Sequence, residues 1–161
     1  MRAHGIEARL PDRFEAHIFR RVPGAGEATY PVAHFATFPI PPDTGDFGGG
    51  AVGAMRATDV FMALFEFGPE SLSAPLFARQ GMPRTLRAQD FRPEVLRRGI
   101  PGHCGTQWFF TEAGRPFTLY AVLGSHALRH TLVPRVNDVL SGITLSATRS
   151  PVPEPVPPSW N

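Results

Sequence analysis

The lone thiol of the chain, Cys104, lies in Pro101-Gly102-His103-Cys104-Gly105, a glycine-lined turn ahead of a β-rich run. A thiol attacks only as thiolate, so cysteine chemistry here needs a base or a positive field beside the sulfur. His103 is adjacent, but neighbours on extended backbone point to opposite sides. A base would then be His17, His34 or His126, brought in by the fold. Cys104 with His103 defines one alternative function, a small thiol or acyl-transfer enzyme. The competing reading of a single cysteine is a small apolar filler.

Gly48-Gly49-Gly50-Ala51-Val52-Gly53 is a literal G-x-G-x-x-G. In a dinucleotide fold that string ends a strand and opens a long helix whose amides face a pyrophosphate. Here it follows a proline-rich loop, and only Ala54 to Thr58 separate it from the next apolar run, so no such helix fits. It reads as a loop leading into one turn of small residues, with Asp46 placed to cap it. His126 and His130 are four apart and would align on a helix, yet spacing indicates no third ligand, and no metal is expected. Gly124-Ser125-His126 lacks the second glycine of a nucleophile elbow. Asp43, Asp46, Asp59 and Glu66 are too scattered to pair as acid and base.

Charge is concentrated in one segment. Between Arg79 and Arg98 stand six arginines, Arg79, Arg84, Arg87, Arg92, Arg97 and Arg98, against two carboxylates, Asp90 and Glu94. A solvated face with internal salt bridges is the plain account of such a run. Among functional accounts an acidic protein partner needs the fewest assumptions. Nucleic acid is disfavoured, because aromatic interleaving is limited to Phe77 and Phe91 and no RNA-binding signature is present. Arg79, Arg84, Arg87, Arg97 and Arg98 are the candidate partner-binding residues.

The whole chain has 161 residues, 42% hydrophobic and 19% charged, with a formal charge of +2. That suits one domain able to bury a sizeable core, and no apolar run approaches the roughly 18 residues of a membrane span. All 16 basic residues are arginine, which removes lysine Schiff-base chemistry and the P-loop lysine. With abundant alanine, glycine and proline, this also suggests a high-GC genome. One cysteine excludes an internal disulfide, and residues 1–20 lack the apolar stretch of a signal peptide, so a soluble cytoplasmic protein is expected, with no cofactor and no membrane partner.

The elements that must position these residues are short, because 18 prolines and 16 glycines punctuate the chain. Ile6, Ala8 and Leu10 alternate with polar neighbours, Pro11-Asp12-Arg13 turns, and Phe14, Ala16 and Ile18 resume, which reads as a hairpin with one buried face. Residues 29–38 form a third strand, ended by Pro39, Pro41 and Pro42. Asp59 to Phe67 is apolar on both sides and belongs in mid-sheet. Residues 107–112 and 116–123 flank Ala113-Gly114-Arg115 as a second hairpin. Asp90 offers a cap for a short helix carrying Phe91, Val95 and Leu96, ended by Gly99 and Pro101. Leu132, Val133, Val136, Val139 and Leu140 share a helical face of about nine residues, with Thr131 as cap, Pro134 in the first turn and Gly142 as terminator. Residues 143–147 return as a last strand. From residue 149 the chain is a proline-rich, extended tail.

The elements do not alternate βαβα, so one α+β domain over residues 1–148 follows, its sheet largely antiparallel with one or two short helices against it. The stretch RGIPGHCGTQWFFTEAGRPFTLYAVLGS with LVPRVNDVLSGI resembles a group of small proteins of high-GC bacteria that carries no assigned activity. The order of hairpin, late strand, helix and closing strand is similar, more distantly, to PsbP/Mog1-type α+β domains. That likeness implies an accessory, partner-binding role. The leading expectation is a non-enzymatic accessory or interaction domain that uses a sheet face or its arginine-rich surface. A structural, self-assembling component is a further alternative.

Overall fold

The computed structural model describes residues 1–26, 28–42 and 44–147. In chain order come β1 (Arg2–Ala3), β2 (Ile6–Ala8), β3 (Glu15–Arg20), β4 (Pro31–Ala36), α1 (Gly49–Gly53), β5 (Val60–Glu66), β6 (Cys104–Glu112), β7 (Arg115–Leu123), α2 (Arg129–Gly142) and β8 (Ile143–Leu145). The architecture is the expected α+β type. Five strands make an antiparallel sheet in the order β3-β4-β5-β7-β6, and β1, β2 and β8 make a smaller antiparallel one. No helix among the described residues is long and apolar enough to cross a membrane. The proline-rich tail lies outside the described residues.

A strand apolar on both sides must be covered on both faces, and β5 and β7 occupy such central positions. Leu119, Ala121 and Leu123 of β7, with Met62 and Leu64 of β5, pack with Val136, Val139 and Leu140 of α2. Tyr120 and Val122, one residue out of phase, pack on the other face with Phe61, Val52 of α1, Met55 and Leu96. Phe110, Phe117, Leu119, Val136 and Leu140 are buried together in this core, while Trp108 is half-buried at its margin.

Several elements depart from the sequence reading. Residues 6–18 do not form a hairpin: β2 pairs with β1 and β8, whereas β3 pairs with β4. Alternation assigns a buried face but is silent on the partner strand. The last strand accordingly returns to the small sheet, not the large one. No helix spans residues 90–98, only single 3-10 turns at Ala88–Asp90 and Pro93–Val95. Pro93 forces Arg92 into an extended conformation, φ −132° and ψ 144°. Arg92 then exchanges backbone hydrogen bonds with Gly105, extending the edge of the sheet. Asp90 caps backwards, its carboxylate accepting the Arg87 N–H at 2.7 Å. The late helix begins one turn earlier than expected, with Leu128 rather than Thr131 at its cap and Pro134 inside it. The hydrogen bond Pro134 cannot donate would fall on the carbonyl of His130, the second residue of the helix.

The segment between β4 and β5 is pinned onto the sheet by His34. Its Nε2 donates to the Asp46 carbonyl at 3.0 Å, and its ring lies between Phe19 and Phe61 at 5.2 Å from each. Asp46 does not cap α1; its carboxylate lies 3.4 Å from the Arg21 guanidinium. Burial holds His34 below its ordinary pKa of 6.5, opposed by the Asp46 bond and charge and reinforced by its cross-strand partner His17. A base depressed by folding binds protons more readily unfolded, so its stabilisation is complete above pH 6.5 and is lost as pH falls through the folded value. The urea midpoint should therefore drop on acidification below pH 6.5, and drop less steeply in His34→Gln. Equal slopes in the two proteins would assign the acid sensitivity elsewhere.

Candidate functional site

Leu96, at the end of the turn Pro93–Val95, packs into the core, which leaves the next two residues, Arg97 and Arg98, projecting outward beside α1. Arg97 stacks its guanidinium on Phe47, 3.7 Å from the ring centroid, while its backbone N–H donates to the Tyr120 hydroxyl at 3.4 Å. Phe47 in turn meets Tyr120 edge-on at 5.6 Å. Together with the Gly49–Gly53 turn, these groups line a cleft of about 360 Å³. Glycine at position 48 is required there: its φ is +87°, and a Cβ would run into Val52 and Phe61. The glycine-rich string thus builds one wall of a cleft, in a single turn of helix and not at the head of a long one.

The cleft combines apolar walls with fixed positive charge. Among the described residues neither Arg97 nor Arg98 is paired with a carboxylate. Burial raises the Tyr120 phenol above its ordinary range, against the pull of Arg97, so it stays a neutral hydroxyl facing the arginines. A cleft of this kind suits a carboxylate carried on an apolar or aromatic body.

The six arginines do not form one face. Arg79 lies over Trp108, 5.0 Å from the ring, at the margin of the core that α2 covers. Arg84 donates to the Leu140 and Ile143 carbonyls and to Glu112, so it closes the end of α2 and is spent internally. Arg92 flanks the β6 edge through its bridge to Gly105, and both it and Arg87 are exposed. Arg97 and Arg98 sit across the sheet from Arg79 and Arg84. Because the segment wraps an edge, a run of charge in sequence becomes two separate sites in space.

Cys104 is fully buried in the core beneath α2. Desolvation pushes its thiol up to about 11, with Arg129 pulling weakly the other way. That environment opposes thiolate formation at neutral pH and matches an apolar filler. His103 is 8% exposed, and among the described residues neither ring nitrogen has a hydrogen-bond partner, so none of them orients it as a base. His130 falls within α2 and His126 before it. Among the described residues no three of His, Cys, Asp and Glu are grouped to hold a metal.

No family model, curated protein or solved structure matches the chain. The site is therefore read from its own geometry. Sequence reasoning had Arg97 and Arg98 but missed Phe47 and Tyr120. The available signal was the phase of β7, where Tyr120 falls on the face away from α2 and needs a partner for its hydroxyl.

Proposed function

We propose that this chain is a non-enzymatic interaction module that receives an acidic side chain of a partner protein in the Arg97–Arg98 cleft. The observation that carries the reading is the Arg97 guanidinium held flat on Phe47 at 3.7 Å, beside a second arginine and with no internal carboxylate among the described residues. Stacking orders the guanidinium before binding, which reduces the entropy lost when a carboxylate docks. Arginine and aromatic residues are also the types that dominate interface energetics. Against the thiol-enzyme alternative stands the burial of Cys104, which pushes its thiol up to about 11.

The test uses acetyl-Glu-Phe-Glu-amide as a minimal acidic and aromatic probe, measured by calorimetry. Its affinity should fall as salt is raised, since exposed charges are screened over roughly 10 Å at 0.1 M ionic strength. The pair of changes Arg97→Glu and Arg98→Glu should weaken binding at least about tenfold while leaving the melting temperature unchanged, because exposed charges contribute little to stability. Unaltered binding by the double variant would reject the cleft as the interface.

A further inference from the structure

The outer edge of the large sheet is closed at both ends and open in the middle. In an antiparallel edge strand, alternate residues direct both N–H and C=O away from the sheet. In β6 these are Gly105, Gln107, Phe109 and Thr111. Gly105 exchanges two bonds with Arg92, at 2.8 and 3.0 Å. Thr111 donates to the Arg79 carbonyl and accepts from the Gly81 N–H, both at 2.8 Å. Gln107 and Phe109 stand in the same phase between them, and among the described residues their outward groups have no backbone partner. Residues 82–91 do not follow the edge. Met82 and Leu86 pack into the core on the α2 side, and Leu86 is tied to Asn137 by two hydrogen bonds. The gap they leave is a cavity of about 450 Å³, whose walls include Asp90, Arg92, Val95, Gln107, Trp108 and Phe109.

We infer that this gap is a docking slot for a short extended stretch of a partner protein, three or so residues long, which adds to the sheet beside Gln107 and Phe109. The inference goes beyond the cleft reading and does not depend on it. Two donors and two acceptors about 7 Å apart along an extended strand match the backbone of another extended strand and little else. Length is set by the flanking segments. Residues 79–81 and Arg92 already occupy the position of a sixth strand at either end, so a longer regular strand would collide with them. The same collision bars a second copy of this chain, whose own β6 would arrive with both flanking segments attached. The closure thus blunts the edge against self-association while leaving a specific opening. Of the exposed arginines, Arg92 lines the slot and Arg79 lies over Trp108 in its wall. The carboxylate in the lining, that of Asp90, is engaged by the Arg87 N–H at 2.7 Å. Acidic side chains on the incoming stretch therefore fit best.

The experiment is backbone-amide NMR on the full chain. Without ligand, the Gln107 and Phe109 amides should exchange with solvent at least about tenfold faster than those of Gly105 and Thr111. If all four were equally protected, the slot would already be filled by the chain itself, and the inference would fall. Titration with acetyl-Glu-Val-Glu-amide should shift residues 105–111 and Arg92 and slow exchange at Gln107 and Phe109. The same peptide N-methylated at all three residues should lose at least about tenfold in affinity, since its backbone donors are gone. Equal responses to both peptides, no response up to about 10 mM, or growth of the particle to a dimer would each overturn it. A response confined to Arg97 and Arg98 would overturn the slot while leaving the cleft reading intact.

Discussion

Replacing Arg115 by alanine should lower the unfolding free energy by about 3–5 kcal/mol, the cost of leaving one half of a buried ion pair behind. Arg115 and Glu66 are 5% and 7% exposed, and the guanidinium meets both carboxylate oxygens, at 2.9 and 2.6 Å. The remaining donors go to the backbone carbonyls of His4, Gly5 and Ser146. One side chain therefore fastens the turn between β1 and β2, and the end of β8, to the two central strands of the large sheet. Glu66→Ala should be comparably harmful, because it strands the arginine. Replacing both residues by apolar ones should recover much of the loss against the single variants, since an apolar pair also avoids desolvating two charges. Urea denaturation of the two single variants and the double variant decides this. Single-variant losses below about 1 kcal/mol would show that water reaches the pair and screens it.

The second large effect is expected at Phe117. Its ring stacks on Phe110 at 5.8 Å with an interplanar angle of 22°, and neither side chain is exposed to solvent. It lies in the core between the sheet and α2, under the Arg115 guanidinium at 4.9 Å. Phe117→Ala should cost about 3 kcal/mol, from lost burial and from a cavity that a sheet and a helix cannot collapse around. A conservative Phe117→Leu change should cost under half as much. Denaturation midpoints of the two variants test this; a loss below about 0.5 kcal/mol for alanine would mean that the β6–β7 hairpin is not packed against α2 as described.

These two sites also mark what could and could not be read from the residues. Phe117 was legible, because β6 and β7 are runs of β-formers around a short glycine-containing turn and their partners are local. The face of α2 was legible from its spacing. Arg115 and Glu66 were not paired, since their contact joins positions 49 apart in sequence. A signal was present nonetheless: Glu66 falls in phase with Val60, Met62 and Leu64, and a carboxylate on a core face requires a buried cation. The pairing of β2 with β8 was invisible for a similar reason, because alternation carries no address. The helix that apolar periodicity suggests at residues 90–98 is overruled by the restriction that Pro93 imposes on Arg92. The same conformational constraint sets Arg92 against Gly105, and so both frames the edge slot and turns Arg97 and Arg98 toward the opposite face.

The cleft itself was half legible. Its charges were visible as a run of arginines, and its glycine wall as a motif without the helix that motif normally opens. Their meeting depends on the chain between β4 and β5 folding back over the sheet, held by His34, and no spacing rule anticipates that contact.

The most direct measurement of the central claim is a map of where acetyl-Glu-Phe-Glu-amide binds on the full chain, read from amide shifts and from the Nε–H signals of the arginines. Saturable shifts are expected at Phe47, Gly49–Gly53, Tyr120 and the Arg97 and Arg98 side chains, fading as salt is added. Shifts spread evenly over all exposed arginines, or clustered on Arg79 and Arg87 with the cleft silent, would contradict that claim.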